Sequence, residues 1–172
     1  AVGETMIVLM ATGNTPVMHA VKDAEALLLA SQKTKTYVGQ QGDVDFLRLV
    51  GHLVFGETLR DPMAIQAVGG TGALRLGCDL LRESGAKRVI LPAPCWPNHP
   101  AIVRAARLEP VEAPFFDLAA QRIDLEALIG SFDRVERGDA IIVQACCHNP
   151  LGADFTLEQW RALASALNER GI

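Results

Sequence analysis

An apolar run at residues 140–145, Ala-Ile-Ile-Val-Gln-Ala, breaks into Cys146-Cys-His-Asn-Pro-Leu-Gly152 and then into a helix start at Thr156. This order of strand, turn-rich loop and helix constrains the fold more than any other feature of the chain. A loop so placed lies at the carboxyl end of a strand, where open α/β sheets hold their ligands. Asn149 can both donate and accept hydrogen bonds, and Pro150 stiffens the loop that carries it. Asn-Pro is also an ordinary turn signal, so the loop alone does not separate a binding site from a simple turn.

The same alternation runs upstream. Residues 16–31 read as a helix, with Pro16 in the first turn and Val17, Ala20, Val21, Ala24, Leu27 and Leu28 at helical spacing. Residues 34–42 read as loop. Asp43 is placed to cap a second helix with Phe46, Leu49, Val50, Leu53 and Val54 on one face, ended by Gly56. A short apolar run at 64–68 precedes Gly69-Gly-Thr-Gly72. The helix after it carries Ala73, Leu74, Leu76, Leu80 and Leu81, and Gly85 stops it. Residues 88–92 form a buried strand, and Asn98 is placed to cap a helix reaching about Leu108. Residues 111–116 are the next strand, 124–129 a short helix, and 140–145 the third strand. Thr156-Leu-Glu-Gln159 is a capping-box pattern, followed by the stripe Leu157, Trp160, Ala164 and Leu167 and by Gly171 as a stop. Strands alternating with helices predict an α/β fold, a largely parallel sheet flanked by helices.

Composition narrows the class of function. With 172 residues, 49% of them apolar, the chain can bury a real core. A formal charge of −4 leaves no basic footprint for nucleic acid, and the scattered lysines and arginines form no polybasic membrane patch. The run Met6-Ile-Val-Leu-Met10 is too short to span a bilayer and lacks the flanks of a signal peptide. Cys78, Cys95, Cys146 and Cys147 form no C-x-x-C pair, which suits a reducing, cytoplasmic setting. The chain starts at Ala1 without a methionine and stops at Gly171-Ile172, where the next strand of a βα series is due. The ends therefore read as cut from a longer polypeptide.

Three places could carry chemistry. Gly69-Gly70-Thr71-Gly72 opens a helix, whose first amides are unpaired and whose dipole favours an anion. Glycine admits a phosphate closely and the Thr71 hydroxyl adds a donor. Arg75 stands where a dinucleotide fingerprint needs its third glycine, and no Gly-Lys-Ser/Thr follows as in a Walker loop. A glycine-rich helix start without a ligand stays open as the alternative. Trp96, just past a strand, offers a flat face to a planar heterocycle; a rim aromatic packed on its own helix is the other reading. His99 starts a helix, where the dipole disfavours its charged form, as a supporting group or a plain surface residue. Cys95, His99, Cys146, Cys147 and His148 could meet at two strand ends, but their spacing matches no structural zinc pattern. Buried thiols are the simpler expectation, and no metal is assigned.

Taken together, Thr15-Pro-Val, Thr34-Lys-Thr-Tyr-Val-Gly39, Gly69-Gly-Thr-Gly-Ala-Leu-Arg75, Trp96-Pro-Asn-His99 and Cys146-Cys-His-Asn-Pro-Leu-Gly152 resemble the aspartate/aromatic aminotransferases. These are pyridoxal-phosphate enzymes of fold type I. The resemblance runs in order from about Gly13 to Gly171. It implies that Gly70 and Thr71 hold the cofactor phosphate, that Trp96 stacks on the pyridine ring, and that Asn149 hydrogen-bonds the ring hydroxyl oxygen. It implies that Tyr37 reaches the phosphate of the neighbouring subunit's cofactor in a homodimer. It also implies that His99 supports the acid that pairs with the pyridine nitrogen. Residues 1–42 would then be an N-terminal helix and interface loop, and 43–172 a partial pyridoxal-phosphate-binding large domain.

The departures are equally specific. The family's Schiff-base lysine would lie downstream of residue 172, because none of Lys22, Lys33, Lys35 or Lys87 sits in a matching motif. The acid partner of the pyridine nitrogen and the carboxylate-binding arginines would also lie outside, so the choice between aspartate and aromatic substrates is not written here. Leu151 replaces the usual threonine, Gln144 stands where many relatives have histidine, and Ala1 to Met10 match poorly. Two functions follow: an aminotransferase passing an amino group from an amino acid to a 2-oxo acid, or a truncated relative acting as a binding or scaffold module.

Overall fold

The computed structural model describes residues 17–58 and 63–172. Pro16, the run at 6–10 and the start of the first expected helix lie outside the described residues. By its contacts the chain falls into two units, Ala1–Ile65 and Gln66–Ile172.

The first unit holds α1, His19–Ser31, and α2, Val44–Phe55. Asp43 caps α2 as its sequence predicts, its carboxylate accepting from the Phe46 N–H at 2.8 Å, and Gly56 ends it at φ 54°. The apolar residues expected to form one face of α2 are exposed, as is every described residue of α1.

The second unit is built on a three-stranded parallel sheet in the order β2 (Glu109–Pro114), β1 (Arg88–Ala93), β5 (Ala140–Ile141). Helix α3, Gly69–Glu83, leads through Gly85 at φ 101° into β1, Arg88–Ala93. Helix α4, Asn98–Ala105, leads into β2, Glu109–Pro114, which pairs with β1 along all six residues. A short antiparallel pair follows, β3 at Phe116–Asp117 and β4 at Arg122–Ile123. Then come α5, Leu125–Gly130, a 3₁₀ turn at Ser131–Arg134, β5 at Ala140–Ile141, and α6, Leu157–Arg170.

β1 is central and buried on both faces, so its sequence is continuously apolar rather than alternating. Val89 and Leu91 point into a cluster with Cys78 of α3 and Ile102 and Val103 of α4, while Ile90 points into one with Phe115, Leu128, Phe132 and Leu163. Thus α3 and α4 cover one face, and α5 and α6 the other.

A buried carboxylate fixes the amino end of the sheet. Asp139 accepts from the backbone N–H groups of Lys87 and Arg88, both at 2.9 Å, and of Glu136 at 2.8 Å. The Arg88 guanidinium lies 3.6 Å away. Burial alone would raise its pKa, but the three amides and Arg88 together hold the carboxyl below its ordinary value.

Several expected boundaries shift. The Asn98 side chain caps nothing: Pro97 occupies the cap position, because a turn from the Trp96 carbonyl to the His99 N–H already starts the helix. The helix stops at Ala105, where Arg107 turns to φ 63°. The strand expected at 111–116 is shifted to Glu109–Pro114. The third strand keeps only Ala140–Ile141 of the expected six residues, since after Ile142 donates to Ile90 the chain leaves the ladder. In α6 the capping box forms and Gly171 is left-handed at φ 70°. Leu157 and Ala164 are exposed, however, and Leu163 takes the buried place beside Trp160, Ala166 and Leu167. In α3 the inner positions are Leu74, Cys78 and Leu81, while Ala73, Leu76 and Leu80 face out.

Candidate cofactor site

Three loops meet the carboxyl end of the sheet. The short return at residues 84–87 sets α3 antiparallel to β1, so the start of α3 comes level with the end of β1. Gly69, Gly70 and Thr71 are exposed there, and no side chain caps the helix. A helix leaves its first amides without intrahelical partners. A Cβ built on Gly70 would meet nothing within 4 Å. The turn is an open cradle of N–H groups with the Thr71 hydroxyl at its edge, which suits a phosphate.

The second loop follows β1. Trp96 is half-buried and packs on the same cluster as Leu74, one turn below Thr71. It also meets His99 of its own helix edge-on, centroids 5.4 Å apart. The tryptophan therefore packs as a rim aromatic against His99 of α4 while part of its ring stays open. His99 is buried, not a surface residue. Burial first, and His148 second, lower its pKa, so it stays neutral at the helix start.

The third loop follows β5. Asn149 is exposed. Its backbone is held by the Gln144 side chain, whose carbonyl accepts from the Asn149 N–H at 3.0 Å while its amide donates to the Asn149 carbonyl at 3.4 Å. His148 is buried and reaches across to the second loop, its Nε2 lying 3.0 Å from the Pro94 carbonyl oxygen. In the sequence Gln144 stands out only as a departure from the family pattern and His148 only as a metal candidate. Neither role has a local signal, because each depends on what the folded loop brings opposite.

Cys78 is buried, but Cys146 and Cys147 are exposed, contrary to the expected burial, since the chain has left the sheet before it reaches them. The Cys147 N–H donates to Asp154, and that carboxylate, then Cys146, pushes the Cys147 thiol pKa up. Among the described residues no cluster of three or more His, Cys, Asp or Glu could hold a metal ion. No helix there is long and apolar enough to cross a membrane. Tyr37, in the first unit, is fully exposed.

A family model described as "Aminotransferase class I and II" matches residues 5–172. The chain belongs to this family. It is 42% identical over 166 residues to the aspartate aminotransferase of Escherichia coli (strain K12), covering 93% of the chain and 42% of that protein. It is 40% identical over 163 residues to the tyrosine aminotransferase of Rhizobium meliloti (strain 1021), covering 94% and 42%. A solved aromatic amino acid aminotransferase with 3-indolepropionic acid matches at a TM-score of 0.86 and 38% identity, over 94% of this chain and 42% of that one. The aromatic-amino-acid aminotransferase from Burkholderia pseudomallei covalently bound to pyridoxal phosphate matches at 0.82 and 29%, over 93% and 42%. The chain thus spans 42% of the length of each. Its parallel sheet and flanking helices are part of the fold type I large domain.

Proposed function

We propose that a protein carrying this chain transfers an amino group between an aspartate or aromatic amino acid and a 2-oxo acid, with pyridoxal 5'-phosphate as cofactor. The observation that supports this best is the convergence of an uncapped glycine helix start, a half-buried tryptophan and an exposed asparagine at one sheet end. The residues fit the cofactor in kind: bare amides and a hydroxyl for a phosphate, an indole face for an aromatic ring, a side-chain amide for a ring oxygen.

When bound, pyridoxal phosphate supplies the carbonyl that takes up the amino group and the ring that accepts electrons from the broken bond. Gly70 and Thr71 anchor the phosphate. Trp96 orients the ring and keeps water from one face. Asn149 donates from its side-chain amide to the ring oxygen. His99, neutral, supports the acid facing the pyridine nitrogen. Tyr37 reaches the phosphate of a partner subunit in a homodimer. Free cysteines at all four positions support a reducing, cytoplasmic setting.

Lys87, the lysine of the second unit, stands at the amino end of β1, opposite this site. On this reading the 172-residue chain alone binds cofactor weakly and turns nothing over, which also leaves room for a binding module without catalysis. A full-length protein carrying the chain separates the two. Transamination from aspartate or an aromatic amino acid, dependent on added pyridoxal phosphate, is the expected result. A full-length protein that neither binds the cofactor nor transaminates would overturn the enzyme reading.

A further inference from the structure

After Ile142 donates to Ile90 at 3.1 Å, no ladder joins β5 to β1: the β5 side runs on as a loop, while β1 continues beside β2 to Ala93 before its own loop begins. One loop carries Trp96 and the other carries Asn149. Among the described residues, a single hydrogen bond ties residues 143–152 to residues 94–97, the one between His148 and the Pro94 carbonyl at 3.0 Å. A carbonyl oxygen only accepts, so Nε2 carries the hydrogen and donates it.

His148 is built for this position. Its backbone is used up within its own turn: its N–H donates to Ala153 at 3.1 Å, and its carbonyl accepts from Gly152 at 2.7 Å. Only the side chain is left to cross between the loops. The ring lies 4.4 Å from that of Phe115, which is itself buried and packs on Phe155, and Phe155 packs on Trp160 of α6. The imidazole is therefore held from behind by an aromatic stack rooted in a helix, with its polar edge against the other loop. A buried polar side chain set between two loops fixes them only while its hydrogen bond is made.

We propose that His148 is a positioning residue: its Nε2–H, donated to Pro94, keeps the Asn149 loop in register with the Trp96 loop. The two groups offered to the cofactor ring are then set by one side chain. This rests on the reading that the site holds pyridoxal phosphate.

The test compares wild type, H148F, H148Q and H148N in a full-length protein carrying the chain. Phe keeps the stacking and loses the hydrogen bond. The terminal amide of Gln reaches about as far as Nε2, whereas that of Asn stops near Nδ1. The readouts are the dissociation constant for pyridoxal phosphate and the circular dichroism induced in the bound cofactor's absorption band, which reports ring orientation. H148F is expected to weaken binding about tenfold, the scale of one lost hydrogen bond, and to flatten the induced signal. H148Q should stay within about threefold of wild type on the same scale. A purely structural role would lower the melting temperature without moving either readout. Wild-type binding and dichroism in H148F, or equal damage in H148F and H148Q, would overturn the proposal. If H148F does not fold, H148Q against H148N decides in the same way, and equal behaviour overturns it. A wild type that binds no pyridoxal phosphate overturns the proposed function instead. The loop register is then judged from the part of the near-ultraviolet dichroism that W96F removes, which loss of the bond should flatten and Gln should restore; an unchanged signal in every variant overturns the inference.

Discussion

Trp96 meets His99 edge to face, with ring centroids 5.4 Å apart and planes at 85°. The histidine braces the indole from below while burial keeps the imidazole uncharged. Trp96→Ala is therefore expected to weaken pyridoxal phosphate binding by about 1–2 kcal/mol, the scale of an aromatic contact plus lost area. Trp96→Phe should recover part of it. A cofactor titration in which Trp96→Ala binds as tightly as wild type removes this residue from the site.

The helix start offers a cleaner separation of fold from ligand. Gly70→Ala puts a methyl group where the protein itself has nothing within 4 Å, and alanine favours the helix by up to about 1 kcal/mol. The melting temperature should hold or rise while cofactor affinity drops. Thr71→Ala should cost about 1.5–3 kcal/mol of binding if its hydroxyl donates to a charged phosphate. Unchanged affinity in both variants would show that the phosphate lies elsewhere.

His99 makes stability depend on pH. Its folded-state pKa lies below the ordinary 6.5, so below about pH 6.5 the unfolded chain takes up the proton more readily. Stability should fall as pH drops through 6.5 toward the folded value and gain nothing from His99 above it. Melting temperatures from pH 5 to 8 for wild type and His99→Asn measure this. Parallel curves would mean that His99 does not titrate differently on folding.

Asp139 acts further down the scale. Its carboxyl is held below 3.8 in the fold, so its contribution is present above pH 3.8 and lost as pH falls through the lowered value. Asp139→Asn keeps the shape but turns one acceptor into a donor facing the Glu136 N–H. The expected loss in urea unfolding at neutral pH is about 2 kcal/mol, and the acid limb of the stability curve should flatten. A loss within experimental error would mean that water replaces the carboxylate.

Tyr37 is expected to serve a partner's site. Mixing Tyr37→Phe subunits with subunits lacking the active-site lysine should restore part of the activity in verified heterodimers. Complete absence of rescue would assign Tyr37 to its own subunit.

What the sequence makes legible here is local. The capping box at Thr156–Gln159, the Asp43 cap and the Gly85 stop depend on neighbours within a turn, and each forms as expected. Gly70, Thr71, Trp96 and Asn149 could be singled out because glycine and proline punctuate the ends of elements. Features set by the far side of the fold leave no such local signal. Helical spacing yields two adjacent stripes on α6, and only Phe132 and Ile90 opposite select Leu163 over Leu157. The length of β5 is set by where the chain leaves Ile90, not by how apolar residues 140–145 are. His148 could not be found from sequence, since its partner is 54 residues away.

Helix α3 is pinned at both ends. Gly85 and Ala86 turn it into β1 below, and its first turn must face the end of that strand above. At about 1.5 Å and 100° per residue, deleting one residue between Leu74 and Glu83 would swing Gly70 and Thr71 by more than a quarter turn. They would no longer face the Trp96 loop, although every side chain at the site would still be present. This stretch can change its letters freely on its outer face, at Leu76 or Leu80, but not their number: it works as a ruler, and insertions or deletions there should be far less tolerated than substitutions.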